Sequence, residues 1–139
     1  MTSLAEAFQR YLGDDAPGHI EKETLSPKDA IDLIHSAGGL CFLAHPGLLR
    51  LNSHETINTR IAALKDLGID GIEAFYSSYS PAEEAAFLRI AKKYHLFVTG
   101  GSDFHGANKP TIPLGIVRDG ERLALYQLGG WLPPEPGAL

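Results

Sequence analysis

A chain of 139 residues with 44% hydrophobic and 21% charged content is sized for one globular domain with a modest core, and a second domain is not expected. A formal net charge of -5 without any Lys/Arg block excludes a broad basic surface for nucleic acid, so phosphate recognition, if present, must be local. No run nears the roughly 20 apolar residues of a membrane span, the start Met1-Thr2-Ser3-Leu4-Ala5-Glu6 lacks a basic-then-apolar leader, and the lone Cys41 cannot form an internal disulfide; a cytoplasmic protein with no membrane partner is expected.

Helical spacing of Leu4, Phe8, Tyr11 and Leu12 predicts a short helix over 3–12, stopped at Gly13. A polar loop with Pro17 and Gly18 follows to Thr24. Ser26-Pro27 supplies an N-cap and a first-turn proline for a helix reaching about Ala37, ended by Gly38-Gly39. The apolar run 40–44 predicts a strand with His45 at its end, before a loop at Pro46 and Gly47. Ile57, Ile61, Leu64 and Leu67 share one face of a helix near 54–67 that Gly68 stops, and Ile69 to Phe75 is the next strand. Ser80-Pro81 opens another helix, which closes on Lys92, Lys93 and His95. A strand over 96–99 then leads into Gly101-Ser102-Asp103-Phe104-His105-Gly106. Beyond it, two short apolar pieces within 114–128, split by Asp119-Gly120, fit a hairpin, and Pro133, Pro134 and Pro136 mark a loose tail.

Successive helix-then-strand units with short connections imply an α/β fold of parallel strands flanked by helices. In such sheets chemistry collects at the carboxyl ends of the strands, where this sequence puts His45, Glu73 to Tyr76, and the Asp103/His105 pair. Asp103 and His105, two apart just past a strand, can point the same way and hold one ion, with His45 arriving from a neighbouring strand. Taken alone, an Asp-x-His is more often a turn aspartate beside a surface histidine. His35 reads as a packed or helix-terminal cation, and His54 and His95 carry no functional weight. Lys109 is either a point charge for a substrate phosphate or a solvated loop lysine.

Further residues carry a resemblance. Ala-Phe-Gln-Arg-Tyr-Leu-Gly at 7–13, Leu-Ser-Pro-Lys-Asp-Ala-Ile-Asp-Leu-Ile-His at 25–35, Ala-Gly-Gly-Leu-Cys-Phe-Leu-Ala-His-Pro-Gly at 37–47, Gly-Ile-Glu at 71–73, and Gly-Ser-Asp-Phe-His-Gly with Lys109-Pro110 stand in the order and spacing of the PHP (polymerase and histidinol phosphatase) domain. The chain resembles its small metal-dependent phosphoesterases over nearly its whole length.

That resemblance implies a distorted seven-stranded β/α barrel with divalent metals at its C-terminal rim, of which this chain would be the C-terminal half: 1–25 the tail of a helical insertion and 26–139 the barrel portion. It implies His45, Asp103 and His105 as metal ligands, Glu73 as a rim or supporting residue, and Mn²⁺, Zn²⁺ or Fe²⁺ as the ion, with occupancy left open. The family's His-x-His, Asp-His and ligand Glu motifs have no counterpart before residue 45; His19-Ile20-Glu21 is the nearest arrangement. Tyr76-Ser77-Ser78-Tyr79-Ser80 lacks a histidine that some relatives have, so no extra polar role is expected there. Adjacent ions would bind phosphoryl oxygens and lower the pKa of a bridging water, which makes phosphoester hydrolysis the implied reaction. Three ligands cannot hold such a cluster. Two readings follow: a phosphoesterase acting on phosphorylated nucleotides or short nucleic-acid ends once an N-terminal-half partner chain or a homo-oligomer completes the rim, or a noncatalytic binding or structural remnant.

Overall fold

The structure, a computed structural model, describes residues 4–13, 16–19, 23–51, 55–118 and 121–122. Helix α1 (Leu4–Ala7) continues as one π-helical stretch (Phe8–Leu12), so the first predicted helix is present with its last turn widened. Helix α2 (Pro27–Ser36) begins where the Ser26 hydroxyl accepts the Asp29 N–H and Pro27 fills the first turn.

Strand β1 covers only Phe42–Leu43, shorter than the apolar run 40–44 suggests. The reason lies on both sides. The Cys41 N–H donates to the Asp70 side chain at 2.7 Å, and His45 adopts φ 29, which ends the extended conformation. A 3₁₀ turn (Pro46–Leu48) leads on toward helix α3 (Ile57–Leu67). That helix starts three residues later than its periodicity implies, because Thr56 and Thr59 form a reciprocal capping box; His54 lies outside the described residues. Gly68 closes it with φ 110, a left-handed conformation that glycine adopts without a Cβ penalty.

Strand β2 (Gly71–Tyr76) is followed by helix α4 (Pro81–Lys93), whose N-terminus is a second capping box between Ser80 and Glu83. Strand β3 is Phe97–Gly101. The three strands pair in chain order, β1-β2-β3, all parallel, with Phe42 opposite Gly71 and Ile72 opposite Val98. A shift of register between Glu73 and Phe75 bends the rim end of β2 against β3. Strands β4 (Ile116–Arg118) and β5 (Glu121–Arg122) form the antiparallel pair expected around Asp119-Gly120, while the remainder of the predicted hairpin and the proline tail lie outside the described residues.

β2 is the central strand and the most buried, as a parallel strand covered on both faces should be. Ile72 and Ala74 are fully buried, and Ile31 from α2, Ile61 from α3 and Phe87 and Ala91 from α4 pack with them in one core. β3 is more exposed, with Phe97 and Leu40 near the two outer edges of the sheet each more than two-fifths accessible. Among the described residues no helix is long and apolar enough to cross a membrane.

Candidate metal centre

Two left-handed residues deliver the rim side chains. His45 has φ 29 and Asp103 φ 56, and each lies two residues past the end of a strand, so the chain turns sharply as it leaves the sheet. Non-glycine residues in this region of φ/ψ space carry strain that the surroundings must hold. At His45 they do so with two hydrogen bonds. Its N–H donates to Glu73 Oε2 at 2.7 Å, and the Gly47 N–H donates to the Tyr79 hydroxyl at 2.7 Å. Glu73 thus supports the His45 turn from the adjacent strand. It is half-buried, and desolvation pushes its carboxyl above the ordinary range against the opposing pull of the His45 N–H.

Asp103 sits in a denser network. The Tyr76 hydroxyl donates to Oδ2 at 2.8 Å, and the Lys109 ammonium contacts the same oxygen. His105 Nδ1 donates to the Asp103 carbonyl at 2.7 Å and lies 3.3 Å from Oδ1, which turns the imidazole's Nε2 away from the backbone. Lys109, then Tyr76, hold the Asp103 carboxyl below the usual carboxylate range. Tyr76 itself is pushed up to about 12, first by burial and then by the Asp103 carboxylate it serves.

The sequence places His45, Glu73 to Tyr76, Asp103 and His105 on one rim, and the structure brings both His105 and the loop residue Lys109 onto Asp103. His45 joins them through Tyr76, whose ring centroid lies 5.5 Å from the imidazole and whose hydroxyl reaches Asp103. The three expected ligands do not form one ligand sphere: among the described residues no group of three or more His, Cys, Asp or Glu is arranged to hold an ion. The donor chemistry still suits a divalent cation, because two imidazoles and a carboxylate are borderline-hard ligands. The Lys109 ammonium already does for Asp103 part of what a cation would, neutralising its carboxylate.

The expectation that 76–80 lacks a polar role fails. Tyr76 orients Asp103, and Tyr79 holds the loop that carries His45, its ring stacked at 4.9 Å on Phe87 and packed at 5.1 Å against Tyr76. Both hydroxyls belong to residues at most 5% exposed, so each phenol packs in the core and spends its polar tip at the rim. The available signal was two tyrosines three apart at a strand end, which reads equally well as core. A cleft of about 260 Å³ opens beside this loop, lined by Pro46, Leu49, Leu51, Ile57 and Phe87, with Glu83 at its edge already committed to capping α4.

No family model matches the chain. It is similar to the 5'-3' exoribonuclease Rnm of Escherichia coli, 32% identical over 104 residues that make up 75% of this chain and 35% of that protein. It is equally similar to a 3',5'-nucleoside bisphosphate phosphatase of Chromobacterium violaceum, 32% identical over 117 residues, 84% of this chain and 40% of the relative. The chain therefore spans about two-fifths or less of the length of these curated relatives. Among solved structures, a candidate metal-dependent phosphoesterase from Bifidobacterium adolescentis superposes with a TM-score of 0.64 at 28% identity, covering 89% of this chain and 43% of that one. Parallel strands in chain order, a rim built from strand-end His45 and Asp103, and these likenesses identify the chain as a member of the PHP-domain family, corresponding to the C-terminal portion of that domain.

Proposed function

We propose that this chain provides the C-terminal rim of a metal-dependent phosphoesterase whose substrates are phosphorylated nucleotides or short nucleic-acid ends. The observation that carries the reading is the Asp103 cluster: a carboxylate at a strand end, oriented by a buried phenol and adjoined by an imidazole and an ammonium. His45, Asp103 and His105 act as ligands, Glu73 steadies the His45 turn, and Lys109 meets a substrate phosphate. A bound divalent ion, Mn²⁺, Zn²⁺ or Fe²⁺, supplies charge neutralisation at the phosphoryl group. The phosphoesterase names of the relatives and the metal dependence in the name of the structural neighbour support this reading.

Three donors from this chain leave an ion under-coordinated. The missing donors come from an N-terminal half, in the same polypeptide or a partner chain, with 1–25 as the end of a helical insertion and 26–139 as barrel; a homo-oligomer is the other way to complete the rim. A single cysteine, half-buried with its thiol pushed up by burial and then by Asp70, suits a reducing, cytoplasmic setting. The noncatalytic alternative draws on one observation, the lack among the described residues of a three-donor cluster. Elemental analysis of protein purified without chelator separates the two. Near-stoichiometric metal that is lost in both His45→Ala and Asp103→Ala is expected, followed by phosphate release from nucleotide substrates. Metal-free parent protein, unable to bind metal when mixed with an N-terminal half of a relative, would establish the remnant.

A further inference from the structure

We propose that the cleft beside the His45 turn is a subsite for a nucleobase bearing an exocyclic amine, with the Glu83 carboxylate as the acceptor of that amine. The inference deepens the nucleotide reading above and rests on it for the phosphate, while the base subsite is built from residues outside the Asp103 cluster.

Four elements line the cleft. Pro46 and Gly47 come from the turn after His45, Leu51 from the loop beyond it, Ile57 from the start of α3, and Ala86 and Phe87 from α4. Its volume of about 260 Å³ falls short of the roughly 300–1,000 Å³ that drug-sized ligands fill, so it takes one ring system and leaves a sugar and phosphate outside. Phe87 ends a series of aromatic contacts, its ring 4.9 Å from Tyr79 and that ring 5.1 Å from Tyr76, and a planar ring in the cleft would add one more. Since Pro46 directly follows His45, a base held here places its nucleotide beside the turn that carries His45 to the rim.

The polar groups at the cleft decide between occupants. The N–H groups of the turn are spent inside the protein: Gly47 donates to the Tyr79 hydroxyl at 2.7 Å, Leu48 to the His45 carbonyl at 2.9 Å, and Leu49 to the Pro46 carbonyl at 3.2 Å. They leave the turn no donor for a phosphate, and the negative charge of Glu83 at the edge repels one. Glu83 Oε2 accepts the Ser80 N–H at 2.7 Å and the Ser80 hydroxyl at 2.6 Å, which fixes the side chain and holds its carboxyl below the ordinary range. Both bonds fall on Oε2, so Oε1 keeps its lone pairs for a ligand. An apolar slot with a carboxylate at its edge suits a flat ring that donates from one side. The exocyclic amines of adenine, cytosine and guanine do so, whereas the exocyclic atoms of uracil are oxygens.

The test follows the methyl resonances of Leu51, Ile57 and Ala86 by NMR in the presence of a chelator, with Leu114, exposed on the loop after Asp103, as the control for non-specific contact. Adenosine is expected to shift the three cleft methyls with a Kd on the order of 1 mM and to leave Leu114 in place. Uridine should bind about five- to tenfold more weakly. Glu83→Gln, which keeps a capping-box side chain but both donates and accepts, should bring the two nucleosides within about twofold of each other. Ala86→Phe, which fills the cleft, should abolish the shifts, and Ala86→Leu repeats the comparison should the phenylalanine variant fold poorly. Cleft methyls unmoved by adenosine, moved equally by uridine or by ribose 5-phosphate, or moved only together with Leu114 would overturn the subsite. Concentration-dependent shifts of the free protein would give the cleft to a second copy, and nuclear Overhauser contacts from the Trp131 indole would give it to the chain's own C-terminal segment; either result overturns the proposal. The chelator keeps the two readings apart. Absent cleft shifts in a protein that elemental analysis finds metal-loaded would remove the base subsite alone, and cleft shifts in a protein that takes up no metal would support the subsite while removing the metal reading.

Discussion

Around the strand starts, Asp70 ties two elements together: its carboxylate accepts the Cys41 N–H at 2.7 Å and lies 2.8 Å from His35 Nε2 on α2. Around the strand ends, two of the three strands, β1 and β3, pass into left-handed residues at His45 and Asp103, with carboxylates, imidazoles and an ammonium crowded between them. The first end uses its one carboxylate to hold backbone and helix in register. The second spends its carboxylates on turns: Glu73 accepts the His45 N–H, and Asp103 lies between the Tyr76 hydroxyl and the Lys109 ammonium. The division of labour follows the direction of parallel strands, all of whose carboxyl ends face one way.

The largest effect is expected from the core that both ends share. Ile72 is fully buried in β2, and Ile72→Ala should cost about 3–4 kcal/mol through lost burial and the cavity left behind, seen as a lower urea midpoint. A loss under about 1 kcal/mol would mean that β2 is not the axis of the fold.

Two glycines sharpen the contrast next. A Cβ on Gly71, at the start of β2, would stand 2.2 Å from Phe42 Cε1 and 2.7 Å from the Phe97 carbonyl oxygen, whereas one on Gly106, in the rim turn, would meet nothing within 4 Å. Gly71→Ala should cost about 2–3 kcal/mol by overpacking against backbone. Gly106→Ala, strained only by its φ of 56, should cost about 1 kcal/mol. Equal melting temperatures for the two variants would erase the distinction between a packed base and an open rim.

The smallest effect concerns Asp70 and depends on pH. Burial raises its carboxyl, but the Cys41 N–H, His35 and Lys65 outweigh that and leave it below the ordinary value. A depressed folded-state pKa stabilises the protein above the unfolded-state value, and that stabilisation disappears as pH falls through the folded-state value. Asp70→Asn should therefore be less stable than the parent by about 1 kcal/mol at pH 7, and the two unfolding curves should converge as pH drops below about 4. A constant gap across pH 2–7 would show that the charge on Asp70 is immaterial.

Much of the fold was legible because it is written in short-range signals. Ser26-Pro27, Ser80-Pro81 and Gly68 mark helix ends where the structure has them, and the alternation of helix and strand leads to the parallel sheet. The rim residues were legible as positions following strands. Their partners were not, since Tyr76 with Asp103, Tyr79 with Gly47, and Asp70 with Cys41 each join residues about thirty apart, and no local periodicity encodes which strand-end side chains meet. The capping threonine at 56 shows the complementary failure: apolar spacing alone extended the helix past the point where hydrogen bonding starts it.

Sheet order that follows chain order also bears on how the molecule assembles. β1 meets β2 across α3, and β2 meets β3 across α4, so each pairing closes a loop of some twenty to thirty residues and none waits for a remote segment. The entropy of closing such loops grows only with the logarithm of their length, and each helix recovers it by packing on the strand just formed. Folding can therefore spread outward from β2 one helix-and-strand step at a time, and a further parallel strand could be added at either edge by repeating the same step.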